Sequence, residues 1–479
     1  MCGIAGIAGT WPDREARVER MAEAIAHRGP DDAGLWHDAD CSLGHRRLAL
    51  LDLSPAGRQP MSNEDGRVHV VFNGEIYNFA ELRADLEGRG HRFRSRTDSE
   101  VLVHLYEEAG DEMVSRLRGM FAFALWDARE RRLLLARDHF GQKPLFYAEQ
   151  NGALLFASEI KALLAAGIPR DIDPRGVDLF LSLQFVPSPF TCYRAIRRLP
   201  PATILIRDAG GRTRLRQYWS LRARPASRGR LDAMVEETGA RLRAAVAEQL
   251  VADVPVGLYL SGGIDSTLVL GRAASAAQGL RAFAVGYREA PYSELPHARR
   301  VARHHRVALE EVVLSPQAAD PGELARLFDE PFSDPAALPV VHLARAARRH
   351  VTAVLTGDGG DELFGGYQHH VLAFWLMKLG QLSRARAAIA RVALDRLPES
   401  VRRSPRWPRL RRILETLSHV EPAAALLHLR RQLDPELRAR LYTPDFLATV
   451  ADAEPSEILC AREAAPRTIE EALLWTDRL

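Results

Sequence analysis

Short apolar runs dominate the first 200 residues. Residues 67–72, 121–126, 132–136, 145–147 and 153–157 each read as strands. Turn residues punctuate them, as at Asn73-Gly74 and Asn151-Gly152. Helical spacing occurs near residues 17–27 and 99–109. Strands with segregated helices predict an α+β domain. The polar, Arg-rich stretch 207–230 reads as a loop and marks a boundary. Beyond it the period changes. Residues 231–250, 267–277 and 297–305 read as helices, and 254–260, 280–287 and 351–355 as buried strands. That alternation predicts an α/β doubly wound parallel sheet. Residues 371–479 read as helices broken by prolines. The expected organisation is a domain over 2–206, a linker over 207–230 and a second domain over 231–479.

The length of 479 residues is ample for two or three cores. A hydrophobic share of 47%, a charged share of 27% and a net charge of +3 are those of an ordinary globular protein. No membrane span is expected, because no apolar run of about 18 residues occurs. The first residues lack a basic leader and soon meet Asp13, Arg14 and Glu15, unlike a signal peptide. Cys2, Cys41, Cys192 and Cys460 are too scattered for a zinc pair or a disulfide framework. A reducing cytoplasm is the simplest home. The arginines from Arg402 to Arg412 read as a solvated helix face without aromatic stacking partners, so no nucleic-acid partner is expected.

Cys2 becomes the first residue if the initiator Met is removed. A terminal cysteine carries its own base, since a free α-amine has a pKa near 8. Acyl transfer from an amide needs two donors aimed at the developing oxyanion. Asn73 offers a side-chain amide and Gly74 a backbone N–H, although Asn-Gly alone also reads as a type I′ hairpin turn. Arg47 suits a carboxylate and Asp98 an ammonium, with Glu75 lining the site.

In order come Cys2-Gly3-Ile4-Ala5-Gly6, His27-Arg28-Gly29-Pro30-Asp31-Asp32, Gly44-His45-Arg46-Arg47-Leu48, Phe72-Asn73-Gly74-Glu75 and Arg96-Thr97-Asp98-Ser99. With the Arg137–Tyr147 segment, these resemble the glutaminase domain of class II glutamine amidotransferases, an N-terminal-nucleophile hydrolase fold. The resemblance implies two stacked antiparallel sheets between helices. It implies Cys2, Asn73 and Gly74 as catalytic groups, and Arg47, Leu48, Leu51, Asn73, Gly74, Glu75 and Asp98 around glutamine.

A second site announces itself at Leu260-Ser261-Gly262-Gly263-Ile264-Asp265-Ser266, where a strand meets a helix. Small residues there let backbone N–H groups form an anion nest, though no Walker lysine follows. A second loop, Thr356-Gly357-Asp358-Gly359-Gly360-Asp361, follows the 351–355 strand. If the strands are parallel neighbours, both loops lie at one carboxyl edge, and Asp265 and Asp361 could hold Mg²⁺. The Ser-Gly-Gly-x-Asp-Ser pattern resembles ATP pyrophosphatases, and the whole second half resembles the synthetase domain of glutamine-hydrolysing asparagine synthetases. That resemblance implies ATP contacts from Leu260, Ser261, Gly262, Gly263, Asp265, Ser266, Val285, Thr356 and Gly357, with Asp358 at the adenylate intermediate. It implies a ligase that makes asparagine from aspartate, glutamine and ATP through β-aspartyl-AMP, with ammonia channelled between sites. A homodimer is compatible with it.

The chain stops at Trp475-Thr476-Asp477-Arg478-Leu479, before the family's Ser-Met-Ala-rich segment and its lysine-bearing loop. It therefore reads as truncated in mid-motif, with the synthetase half incomplete. Three alternatives stay open. One is another carboxylate acceptor, in a surface-polysaccharide or natural-product pathway. Another is a glutaminase with a defective synthetase half. A β-lactam synthetase is the third, against which Cys2 argues.

Overall fold

A computed structural model describes residues 1–450 except 222–228, 290–292, 316–320, 368–369, 372–374, 376–382, 405–406, 420–427, 429–430 and 434. The first half runs β1 (Gly3–Ala8), α1 (Arg14–Ala24), β2 (Asp32–His37), β3 (Cys41–Arg47), β4 (Met61–Ser62), β5 (Val68–Ile76), α2 (Phe79–Gly88), α3 (Val101–Ala109), β6 (Gly119–Asp127), β7 (Arg132–Arg137), β8 (Phe146–Gln150), β9 (Ala153–Ala157), α4 (Ile160–Ala165), α5 (Pro174–Leu183), β10 (Arg197–Arg198), β11 (Thr203–Arg207) and β12 (Thr213–Gln217). The strands form two antiparallel sheets, β10-β8-β9-β1-β3-β2 and β12-β11-β7-β6-β5-β4.

Each sheet is covered on both faces. β1 reads Gly-Ile-Ala-Gly-Ile-Ala and every residue is buried, so no polar alternation survives. Ala5 and Ile7 pack towards α1 and α4, with Val18, Met21 and Leu163. Ile4 and Ala8 pack the other way, against Val71, Ala122 and Ala124 of the second sheet. The outer face of that sheet, with Phe72 and Ile76, meets α2 and α3 through Leu82, Leu86 and Leu102. The result is four layers, helix–sheet–sheet–helix, the arrangement that the glutaminase resemblance implies.

The second half runs α6 (Leu231–Gln249), β13 (Val256–Tyr259), α7 (Ile264–Ala276), β14 (Arg281–Tyr287), α8 (Leu295–His305), β15 (Ala308–Leu314), α9 (Pro321–Phe328), α10 (Ala337–Ala347), β16 (Ala353–Leu355) and α11 (Gly360–Phe364). Its sheet has the order β15-β14-β13-β16, and every pairing is parallel. Beyond it lie helices such as Ser383–Arg396, Trp407–Ser418 and Pro435–Leu441. The chain end at 473–479 lies outside the described residues.

Three differences from the sequence expectations have local causes. Asn151-Gly152 is a turn with φ of 51° and 76°, but Asn73 and Gly74 lie inside β5. A Cβ on Gly74 would come within 2.1 Å of the Met120 carbonyl oxygen across the sheet, so the glycine serves a close strand approach and not a turn. The 207–230 stretch carries β12, whose half-exposed polar alternation as an edge strand hides its pairing with β11. Helix α2 went unread: its apolar positions reduce to a few, and only Leu82 and Leu86 are buried.

The halves are tied by specific polar contacts. Arg438 grips Asp178 of α5 through Nε at 3.0 Å and Nη2 at 2.7 Å, and Tyr442 donates its hydroxyl to the same carboxylate at 2.9 Å. Asp178 is fully buried there. Arg198 pairs with Glu330 and Lys161 with Asp329.

Candidate active site

The two-residue period of a strand sets which side chains meet. Ile4 and Leu43 face the space between the two antiparallel sheets, as does Val71. Two residues along each strand, Cys2, His45 and Asn73 face the same space; Arg47 and Glu75 follow by the same step. The apolar filling stops there, and the polar groups take its place. This end of the sandwich is the candidate active site.

Cys2 is fixed from several sides. The Leu48 N–H points at Sγ over 3.4 Å, and the thiol reaches the Leu48 carbonyl at 3.6 Å. Arg28 Nε donates to the Cys2 carbonyl at 2.8 Å, and Ile4 N–H donates to Ser158 Oγ at 3.0 Å. Burial pushes the thiol pKa up, and the Leu48 N–H works against it. The Met1 α-amine beside it is lowered to about 6, mainly by burial, with Arg28 and Lys143 adding to the effect. Arg28 is itself anchored to Glu159 at 2.8 Å. Burial raises that carboxyl, but hydrogen bonds from His27, Lys161 and Arg28 outweigh it and hold it at about 2.

Asn73 is completely buried, and neither its Nδ2 nor its Oδ1 has a partner among the described residues. An unsatisfied buried polar group costs ~1–3 kcal/mol. Two such atoms on one side chain, beside Cys2, are what a catalytic amide kept ready for a substrate would show. The backbone beside it is equally directed. Phe72 N–H donates to Gln59 Oε1 at 2.7 Å and Ile76 N–H to Asp98 Oδ2 at 2.8 Å, both away from β6. Phe121, opposite Gly74, spends its own N–H and carbonyl on Asp138. The Gly74 N–H therefore points as its neighbours do, off the sheet edge and into the site.

Arg47 is buried, and its guanidinium donates to the carbonyls of Leu51, Asp52 and Ser54. Among the described residues it pairs with no carboxylate, so its charge remains for an anion. The loop it holds also crosses to the other half: Asp253 N–H donates to the Leu50 carbonyl, and Asp253 Oδ2 accepts from Asp52 N–H, both at 2.8 Å. Burial raises Asp98 to about 6 despite N–H donors from Ile76 and Ser99. Glu75 is driven well up by burial and by Asp98.

The second candidate region lies at the carboxyl edge of the parallel sheet. β13 and β16 are paired neighbours, Leu258 opposite Leu355, so the loops after them adjoin. Gly262 has φ of 85°, and a Cβ there would lie 2.6 Å from the Ala298 nitrogen. Ser261 Oγ accepts from Gly263 N–H at 3.1 Å and lies 3.0 Å from Ser266 Oγ. A Cβ on Gly357 would meet the Ser266 nitrogen at 2.7 Å, and one on Gly360 the Asp265 carboxyl carbon at 2.4 Å. The cradle is thus shaped by missing side chains at the first turn of a 13-residue helix, α7. Burial raises the Asp265 carboxyl, and the charges of Asp361 and Glu362 add to that. Acidic groups that repel one another beside a phosphate-sized cradle suit a hard divalent ion. Leu260 is buried behind the loop, and Val285 sits half-buried on the adjacent strand. Asp358 N–H donates to Thr356 Oγ1 at 3.3 Å.

A cavity of about 1050 Å³ joins the two regions. Leu51 and Glu75 line one end, and Asp265, Thr356, Gly357 and Asp358 the other. Its walls between them are largely apolar, including Ile76, Met120, Val246 and Leu268. Trp219, which falls in the stretch read as a linker, also lines it. Sequence reading missed Trp219 and gave Arg28 and Glu159 no role. Arg28 lies in a quoted motif, whereas Glu159 reaches it from 131 residues away.

Comparison with known proteins bears on both halves. Residues 1–219 match the family described as glutamine amidotransferase domain, and residues 237–473 the family described as asparagine synthase. Asparagine synthetase (glutamine-hydrolyzing) 1 of Bacillus subtilis is 38% identical over 375 residues, covering 77% of this chain and 59% of that one. A Methanocaldococcus jannaschii protein named Putative asparagine synthetase (glutamine-hydrolyzing) 2 is 35% identical over 403 residues, covering 78% and 76%. The chain spans about three fifths of the length of the first curated relatives it matches.

Proposed function

Because this chain belongs to the glutamine-hydrolysing asparagine synthetase family, we propose that it cuts the side-chain amide of glutamine at Cys2. The ammonia passes to a carboxylate activated with ATP, that of aspartate. The observation that carries the first step is the fully buried Asn73 amide with both ends unpaired.

Arg47 holds the glutamine α-carboxylate and Asp98 its ammonium. Removal of Met1 frees the Cys2 α-amine, in surroundings that lower an amine's pKa. That amine takes the thiol proton, and Sγ attacks the amide carbon. The oxyanion is met by Asn73 Nδ2 and the Gly74 N–H, fixed before the reaction starts. The α-ammonium returns its proton to the nitrogen, ammonia leaves as the tetrahedral species collapses to a thioester, and water then hydrolyses the thioester with the free amine again as base. The apolar-walled cavity supports passage of neutral ammonia towards Asp358. There the phosphates lie on the Ser261–Ser266 loop, and Asp265 and Asp361 would hold Mg²⁺, which supplies charge neutralisation when bound.

The test follows the nitrogen. With amide-¹⁵N-glutamine, aspartate, ATP and Mg²⁺, the label should appear in asparagine, in step with glutamate, AMP and pyrophosphate. Glutamate release without labelled asparagine would defeat the aspartate assignment.

A pH prediction follows from Asp98. The carboxyl is neutral below about 6 and charged above it. The kcat/KM for glutamine hydrolysis should therefore rise through that pH. In Asp98→Asn the rise should become shallower, with only the α-amine's titration left, and KM should climb roughly tenfold or more. A pH profile unchanged in that variant would assign the ammonium contact elsewhere.

A further inference from the structure

Away from both sites, four side chains of the first half converge without any role in the chemistry above. Glu64 follows β4, His91 follows α2, and His104 and Glu107 sit three apart on α3, hence on one helix face. Their ligand atoms all lie within 4.8 Å of one another. His104 is 1% exposed, and neither of its ring nitrogens has a hydrogen-bond partner among the described residues. Its Nδ1 lies 3.3 Å from Glu64 Oε2 and 3.6 Å from Glu107 Oε2. His91 Nδ1 lies 3.7 Å from the same Glu107 oxygen and 4.0 Å from Glu64 Oε1.

The outward atoms are already occupied. Glu64 Oε1 accepts from Arg92 N–H at 2.8 Å, and Glu107 Oε1 from Asn63 Nδ2 at 2.8 Å. Arg67 also stands 3.8 Å from Glu107 Oε1. His91 Nε2 is 3.2 Å from Glu108 Oε1, and His104 Nε2 is 3.8 Å from the buried Glu100. Each ligand thus keeps one atom for the protein and turns the other inwards. The Glu108 carboxylate behind His91 holds the tautomer that leaves its Nδ1 bare, which is the usual outer support of a metal-bound histidine.

We propose that Glu64, His91, His104 and Glu107 bind one zinc ion. Tetrahedral zinc with nitrogen and oxygen ligands at ~2.0–2.2 Å sets its ligands ~3.3–3.6 Å apart. The four His–Glu spacings, 3.3 to 4.0 Å, lie close to that range, and all the ligand atoms stay within 4.8 Å of one another, so the cluster contracts by about an ångström at most on binding. Two carboxylates and two neutral imidazoles also balance the charge of a divalent cation. Glu64 is exposed, which leaves an entry route. The ion is structural. It clamps the turn at Glu64 and the end of α2 onto α3, whose leading segment carries Asp98.

The chain, prepared without a histidine tag, loaded with Zn²⁺ and dialysed, should retain about one zinc per molecule by elemental analysis. Its melting temperature should rise on loading. His91→Gln at the rim and Glu107→Gln should each bind zinc about 100-fold more weakly by competition with a chelating dye, and lose the thermal gain. His91 is only partly buried, so its variant tests the site even if a His104 variant fails to fold. Retention of under about a tenth of an equivalent, or equal affinity in the wild-type and variant chains, would overturn the proposal.

Discussion

Asn73→Leu should lower kcat for glutamine hydrolysis by about 10²–10³-fold and, in the same protein, raise the stability of the first half. The rate loss is what one oxyanion donor is worth when it is fixed in a water-excluded site. The stability gain has the opposite sign because leucine keeps the forked outline of asparagine and has no polar atom. It removes two buried groups that have no partner among the described residues, each costing ~1–3 kcal/mol. Cys2→Ala sets the floor of the same assay. A loss of stability in Asn73→Leu with normal turnover would show that the amide is structural. The measurements are single-turnover glutamate release and chemical denaturation followed by circular dichroism.

Gly262→Ala should abolish ATP-dependent pyrophosphate release while leaving glutamine hydrolysis within about twofold. A non-glycine residue at φ of 85° carries ~1–2 kcal/mol of strain. The larger effect is steric: the new Cβ would stand 2.6 Å from the Ala298 backbone nitrogen. That neighbour is backbone in α8, so the Ser261–Ser266 loop must move instead. A nest of N–H groups tolerates little displacement, and a 1 Å error costs about 100-fold or more. Equal loss of both activities would mean that the variant unfolds or that the halves are coupled. Full retention of pyrophosphate release would remove this loop from the phosphate site.

These two positions differ in how far a linear sequence reveals them. The strand–helix alternation from residue 254 to 355 exposes the parallel sheet because β13, β14 and β16 are short, mostly apolar runs, whereas the edge strand β15, with Glu310 and Glu311 at its centre, went unread. Gly262 is legible as part of that pattern. Asn73-Gly74 misleads, since the dipeptide matches a hairpin turn in local terms. The true constraint is the Met120 carbonyl, 46 residues on, and no window of sequence contains it. The same holds for Glu159, which reaches Arg28 across 131 residues. It holds again for Glu64 and His91, which meet the His104–Glu107 pair only once three elements pack. Motifs that share one turn or strand end are readable; constellations assembled by packing are not. Trp219 was hidden for another reason, because β12 before it is an edge strand with few apolar residues.

Asp178 and Arg438 are 260 residues apart, yet the carboxylate is fully buried with the guanidinium on it. The ribosome adds about 5–20 residues per second. The acid in α5 is therefore made roughly 13–50 s before its partner exists. Through that interval Asp178 on α5 lacks the arginine that covers it in the finished protein. The final docking of the two halves is thus a late event on the clock of synthesis.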